Sequence, residues 1–126
     1  MVAVRSGRHQ GLALLALSLI SLGVSALLRD LVPDVTLCGI KKLTGLPCPF
    51  CGGVRATAAL GQGSPLEAFA WNPAVTLLHA AMLSSGAALV LGRTPPWLTP
   101  ERQRFVFRAV VVILLVNWLY LVSVGR

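Results

Sequence analysis

Three long apolar runs dominate the alternation of hydrophobic and polar positions along the chain. Gly11 to Leu28 is an uncharged stretch of 18 residues, and Asn72 to Gly92 is one of 21 in which His79 is the sole titratable group. Phe105 to Val124 is a third, of 20 residues, interrupted by Arg108 near its start. About 20 predominantly apolar residues carry a helix across the roughly 30 Å hydrocarbon layer of a bilayer. Unpaired backbone groups are not tolerated in lipid, so each run is read as a helix. The pattern therefore predicts an all-α membrane protein with three transmembrane helices at about 11–28, 73–92 and 105–124. The first run has a competing reading: Arg5 and Arg8 precede an apolar core, and Val24-Ser25-Ala26 would suit a signal-peptidase site. Because the apolar run continues past Ala26 and is long for a signal core, it is read as a retained span.

Helix punctuation fills in the rest. Asn72-Pro73 reads as an N-cap followed by proline at the first helical position, where a missing N–H costs nothing. Thr99-Pro100-Glu101 opens the third helix in the same way, with an acid near the positive end of the helix dipole. Ser64-Pro65-Leu66-Glu67 reads as a capping box before a short helix ending at Trp71. Gly61 and Gly63 end an earlier short helix over about 54–60. The first two spans are joined by 43 residues (29–71) and the last two by 12 (93–104). A connection of 43 residues is too long for a passive linker, and this one carries all three cysteines. Its short helices are expected to be interfacial or re-entrant.

Composition agrees with lipid as the solvent. Of the 126 residues 56% are hydrophobic and only 12% charged, about half the charged share of an average soluble domain, and mean hydropathy is +0.78. The net charge of +7 does not form a nucleic-acid face, because no basic run exceeds Lys41-Lys42 and the arginines flank apolar stretches. Nucleic acid is therefore not an expected partner. With the N-terminus inside, six basic residues (Arg5, Arg8, Arg93, Arg102, Arg104, Arg108) face the cytoplasm and five (Arg29, Lys41, Lys42, Arg55, Arg126) face outward. That slight excess and its closeness to the span ends favour this orientation.

Helices in lipid associate through small residues. Gly11, Ser18, Ser21 and Ser25 share a face of the first span; Ala80, Ser84, Ala88 and Gly92 form a stripe on the second, and the two stripes are read as partners. His79 and Asn117 are the polar groups at depth. Counted from the span midpoints at 1.5 Å per residue, both lie within about 5 Å of the midplane on the same side, so a hydrogen bond between them is expected. Arg108 is expected to snorkel to the headgroups.

The chemistry concentrates in Cys38 and the C-P-x-C-G turn Cys48-Pro49-Phe50-Cys51-Gly52. Three readings stand side by side. Proline and glycine shape a turn that aims two thiolates at one ion, so Cys48 and Cys51, with Cys38 as a third ligand, are metal candidates and zinc the candidate ion, although a fourth ligand is missing. A Cys-x-x-Cys near a helix start, flanked by Lys41, Lys42 and Arg55, could instead perform thiol redox chemistry, with Cys38 as a shuttling thiol. The third reading is structural: one disulfide or a packed turn that fixes the loop on the bundle. Arg55 is costly at a bilayer surface without a partner, and a contact from Arg55 to Glu67 or to a backbone carbonyl is expected to fold the loop into a lid.

The run Cys38, Lys42, Thr44-Gly45-Leu46-Pro47-Cys48-Pro49-Phe50-Cys51-Gly52, Arg55-Ala56, Gly61, Ala68 and Asn72-Pro73 resembles a family of small bacterial integral membrane proteins classed as a domain of unknown function. That family has the pattern C-P-x-C-G-x-T-R-A followed by N-P at the head of the next span; here Val54 stands where it usually has threonine. The resemblance implies a multi-pass protein of the cell membrane and no particular reaction. Three spans are too few to enclose a pathway, so self-association or a larger membrane complex is expected. The leading functional reading is an accessory or assembly subunit with a structural or metal-held cysteine loop. A membrane thiol–disulfide oxidoreductase using Cys48 and Cys51 is the enzymatic alternative, and part of an oligomeric channel or transporter a third.

Overall fold

A computed structural model describes residues 2–31, 39–95, 97 and 99–125. The chain is all-helical over these residues, and Cys38 and Arg126 lie outside them. In order come α1 (Val2–Leu31), α2 (Gly39–Thr44), α3 (Gly53–Gly61), α4 (Pro65–Trp71), α5 (Pro73–Val90), one 3₁₀ turn (Pro100–Arg102) and α6 (Gln103–Ser123). Three segments are long and apolar enough to cross a membrane: Gly7–Arg29, Pro73–Val90 and Pro100–Ser123.

The most extensive interface is between α1 and α5, and glycine lets it close. A Cβ on Gly11 would stand 2.8 Å from Gly86 O and 2.9 Å from Leu89 Cβ; one on Gly86 would stand 2.8 Å from Leu15 Cγ and 3.0 Å from Gly11 O. The two backbones touch there because neither residue has a side chain, the packing that lipid-embedded helices use when burial gives no net drive. Arg8 Nε adds a bond to Val90 O at 3.3 Å. The α1 face follows the expected stripe, with Gly11 and Ser18 buried and Ser21 and Ser25 half-buried. The α5 face does not. Ala80, Ser84 and Gly92 are exposed, and Ser84 Oγ turns back to Ala80 O at 2.7 Å. Gly86 lies two residues past Ser84, about 200° around the helix, and the contact face is the one carrying Val75, His79 and Gly86.

Helices α3 and α4 form a short hairpin laid against α1 and the start of α5. Its core is mostly alanine: Ala56, Ala59 and Ala68 are buried with Val75, and Leu60 and Trp71 close over them. Gly61 meets α1 so closely that a Cβ would lie 2.6 Å from Leu22 O. Ser64 makes no side-chain cap for α4. The expected capping box is absent because Glu67 is engaged elsewhere. Its Oε1 accepts from Arg29 Nη2 at 2.9 Å and from Trp71 Nε1 at 3.4 Å, while Arg29 Nη1 reaches Gln62 Oε1 at 3.0 Å. Arg55 therefore does not pair with Glu67; its guanidinium lies 4.8 Å from the Trp71 ring centroid, a cation–π contact.

The Arg29 and Trp71 hydrogen bonds, and then the Arg29 charge, hold the Glu67 carboxyl below its usual range. A lowered native value adds stability above the unfolded-state value and loses it as pH falls through the native one. Glu67→Gln is expected to remove only this acid-side component, checked by unfolding the wild type and variant in nanodiscs from neutral to acidic pH. The wild type should lose more stability on acidification than the variant. The effect is small because the pair is solvent-screened.

Helix α6 stands apart. Of its 21 residues only Asn117 and Leu121 are buried, and its contact with α5 is slight.

Candidate functional site: the cysteine turn

The peptide from Pro47 to Gly53 is a tight turn closed by Cys51 N–H donating to Cys48 O at 2.9 Å and Gly53 N–H donating to Phe50 O at 2.9 Å. Gly52 then takes φ +76°, a conformation open to glycine, with Trp71 O only 3.1 Å from where a Cβ would sit. A side chain there would be both strained and obstructed. This geometry starts α3 directly after the turn.

The outer carbonyls of the turn are capped by two asparagines. Asn72 Nδ2 donates to Pro49 O at 3.1 Å and to Cys51 O at 3.0 Å, while its Oδ1 accepts from Val75 N at 3.1 Å. One fully buried side chain thus caps α5 and ties down the turn. Asn117 comes from α6: Nδ2 donates to Pro49 O at 2.8 Å and Oδ1 accepts from Ala74 N at 3.1 Å. Pro73 has no N–H to offer, so these two acceptors satisfy the first amides of α5. Trp118 Nε1 donates to Pro47 O at 2.9 Å, and Tyr120 OH to Ala70 O at 2.9 Å. Helix α6 is therefore fastened to the protein through the turn and through the adjoining ends of α4 and α5.

Cys48 and Cys51 stand as two thiols, Cys48 half-buried and Cys51 only 8% exposed. A turn closed between residues three apart keeps their Cα atoms within about 7 Å, a separation a disulfide can span. Phe50 and Leu46 lie beside them, more than half exposed. Among the described residues no three His, Cys, Asp or Glu side chains gather around a point that could hold a metal ion. Cys38, the third ligand expected for zinc, is outside the described residues.

His79 and Asn117 do not meet. Asn117 lies opposite Ala74, so in an antiparallel pair the position facing His79 is near Val112; counting from span midpoints put the register several residues off. His79 instead faces α1, with Nε2 3.1 Å from Ser21 Oγ and Nδ1 3.0 Å from Val75 O. A carbonyl only accepts, so Nδ1 is the donor to Val75 O, and Nε2 faces the Ser21 hydroxyl. That hydroxyl also lies 2.8 Å from Ser18 O. The two polar groups thus bridge separate helix pairs and form no shared path. Ser18 Oγ, one turn from Ser21 on α1, is fully buried and has no hydrogen-bond partner among the described residues. A buried hydroxyl without a partner loses its hydration uncompensated. Ser18→Ala is expected to leave stability unchanged or raise it by up to about 1 kcal/mol, measured by denaturant unfolding in detergent; a comparable loss would contradict this.

Sequence reasoning picked out Asn72, Asn117, Cys48 and Cys51 but missed Trp118, Tyr120 and Arg29. An aromatic pair at the end of an apolar span is a recognised interfacial signal and could have drawn attention to the first two.

Residues 38–85, which include the turn, α3, α4 and most of α5, match the model of a family described as "Protein of unknown function (DUF2752)". No curated protein and no solved structure matches the chain.

Proposed function

We propose that this chain is an accessory or assembly subunit of a larger complex in a bacterial cell membrane, and that the cysteine turn is its docking element. The observation that carries the reading is how the turn is held: Asn72 at the head of α5 and Asn117 and Trp118 of α6 give four hydrogen bonds to the carbonyls of Pro47, Pro49 and Cys51. A preformed turn with Phe50 and Leu46 exposed on it loses little entropy on binding. Three spans crossing the bilayer put the turn at one membrane face, and the uncovered sides of α6 are open to lipid or to helices of the complex. The test is Phe50→Asp, with Leu78→Ala on the exposed face of α5 as control. The expected result is loss of a fixed-stoichiometry assembly from gently solubilised membranes by the turn variant alone, with unchanged thermal stability. A wild-type chain that is monomeric in its native membrane would overturn the proposal.

A second reading, thiol–disulfide exchange, is favoured by one feature, the unequal burial of the two thiols. An accessible Cys48 could attack a disulfide of a partner protein, releasing one partner thiol and forming a mixed disulfide. Shielded Cys51 would then displace the second partner thiol and leave a Cys48–Cys51 disulfide, two electrons having passed to the partner. In this reading Cys48 alkylates faster than Cys51 with a membrane-permeant maleimide, and the chain equilibrates with a thiol redox buffer at a defined potential. Equal reactivity of the two, or no disulfide in any buffer, would remove it.

A further inference from the structure

The opposite end of the protein from the cysteine turn carries a second feature. Gln103, Arg104, Phe107 and Arg108 line an open groove of about 350 Å³ at the start of α6. Arg104 and Arg108 are four apart on one helix, hence stacked on the same face. Both are exposed, and among the described residues neither has a hydrogen-bonding or acidic partner. Like charges at this spacing destabilise a helix. The cost grows here because Arg108 lies about 6 Å further along the helix than Arg104, inside a segment apolar from Phe105 onward. Two unpaired guanidiniums straddling the edge of hydrocarbon need an anion at that depth.

We propose that Arg104 and Arg108 clamp the phosphodiester of one anionic phospholipid, whose acyl chain lies along Phe107. A phosphodiester at the headgroup level offers oxygens to both planar forks at once. Charge complementarity selects an anionic lipid over a zwitterionic one. Among the described residues, Arg8, Arg93, Arg102, Arg104 and Arg108 sit at this end of the helices with Glu101 as the one nearby acid, so the ammonium of a zwitterionic headgroup would be repelled. Phe107, 70% exposed between the two arginines, provides the apolar wall that a free phosphate would not need.

The experiment uses the full chain in nanodiscs of phosphatidylcholine with or without phosphatidylglycerol, and native mass spectrometry of the protein released from them. Wild type is expected to retain one phosphatidylglycerol molecule. The R104Q/R108Q variant should lose that preference on the order of thirtyfold, while R93Q keeps it. A spin label near the top of the lipid's acyl chain should contact residue 107 in the wild type and not in the double variant. Equal retention by wild type and double variant overturns the proposal, as does an equal loss in R93Q, which would show diffuse surface charge. Full displacement by inorganic phosphate at moderate concentration would also overturn it, since the groove would then be a simple anion site. Should the double variant fail to fold, R108Q alone and the charge-keeping R104K/R108K carry the comparison, with partial loss expected in each.

Discussion

Asn72→Ala is expected to cost on the order of 3 kcal/mol and to free the cysteine turn from the bundle. One side chain makes three hydrogen bonds, a part-buried one given to Pro49 O and buried ones given to Cys51 O and accepted from Val75 N. Loss of the N-cap at α5 accounts for about 1 kcal/mol. The rest comes from carbonyls left in an apolar site with fewer donors, each worth about 1 kcal/mol or more. Two further substitutions separate the roles. Asn72→Ser keeps a cap for α5 and loses the reach to the turn. Asn72→Asp still accepts from Val75 but sets a carboxylate against two carbonyl oxygens, so it should be at least as damaging as alanine. Unfolding in detergent by a denaturing surfactant gives the ranking, and the alkylation rate of Cys51 gives the local effect. An alanine variant as stable as wild type, with Cys51 still shielded, would refute the assignment.

Gly11→Val should be the most disruptive change in the transmembrane region, at about 3 kcal/mol. Its Cβ would meet Gly86 O, Leu89 Cβ and Val90 N, all within 3.0 Å, and two of these are backbone atoms that cannot turn aside. The two helices must separate, and the His79–Ser21 contact lies in the same interface. Gly23 on the same helix is the internal control. A Cβ there meets nothing within 4 Å, so Gly23→Ala should be neutral or slightly stabilising through helix propensity. Thermal unfolding of both variants in nanodiscs measures the difference; equal midpoints would mean that α1 and α5 do not pack through glycine.

Much of this architecture can be read from the chain. The length of an apolar run is set by the bilayer, so three helices follow from local sequence, and Asn72-Pro73 announces the start of α5 through chemistry confined to a few residues. The short helices α3 and α4 are legible for the same reason, from Gly61, Gly63 and Pro65. The six-residue α2 was not anticipated, although Gly45 at φ +73° ends it in the usual glycine manner. Pairings between distant segments were the part that escaped. Glu67 lies 38 residues from Arg29, and Asn117 lies 68 from Pro49. No local pattern states which of several nearby arginines a single carboxylate will take. The face of α5 that meets α1 was misjudged because small residues occur on more than one face of that helix. The register of α5 against α6 was misjudged because Asn117 sets it through Ala74 and the turn, not through the span midpoints. Arg55 illustrates the same limit: an interfacial arginine demands a partner, and Trp71, packed over Gly52, supplies a face instead of a charge.

Hydrogen–deuterium exchange of the full chain in nanodiscs tests the central claim most directly, that the cysteine turn is a fixed part of the helical bundle. The amides of Cys51, Gly53, Ala74 and Val75 are all hydrogen-bonded to the turn or its asparagine caps. They should exchange as slowly as the interior of α5 and speed up together in Asn72→Ala. Rapid exchange of Cys51 and Gly53 in the wild type, at the rate of an open loop, would contradict it.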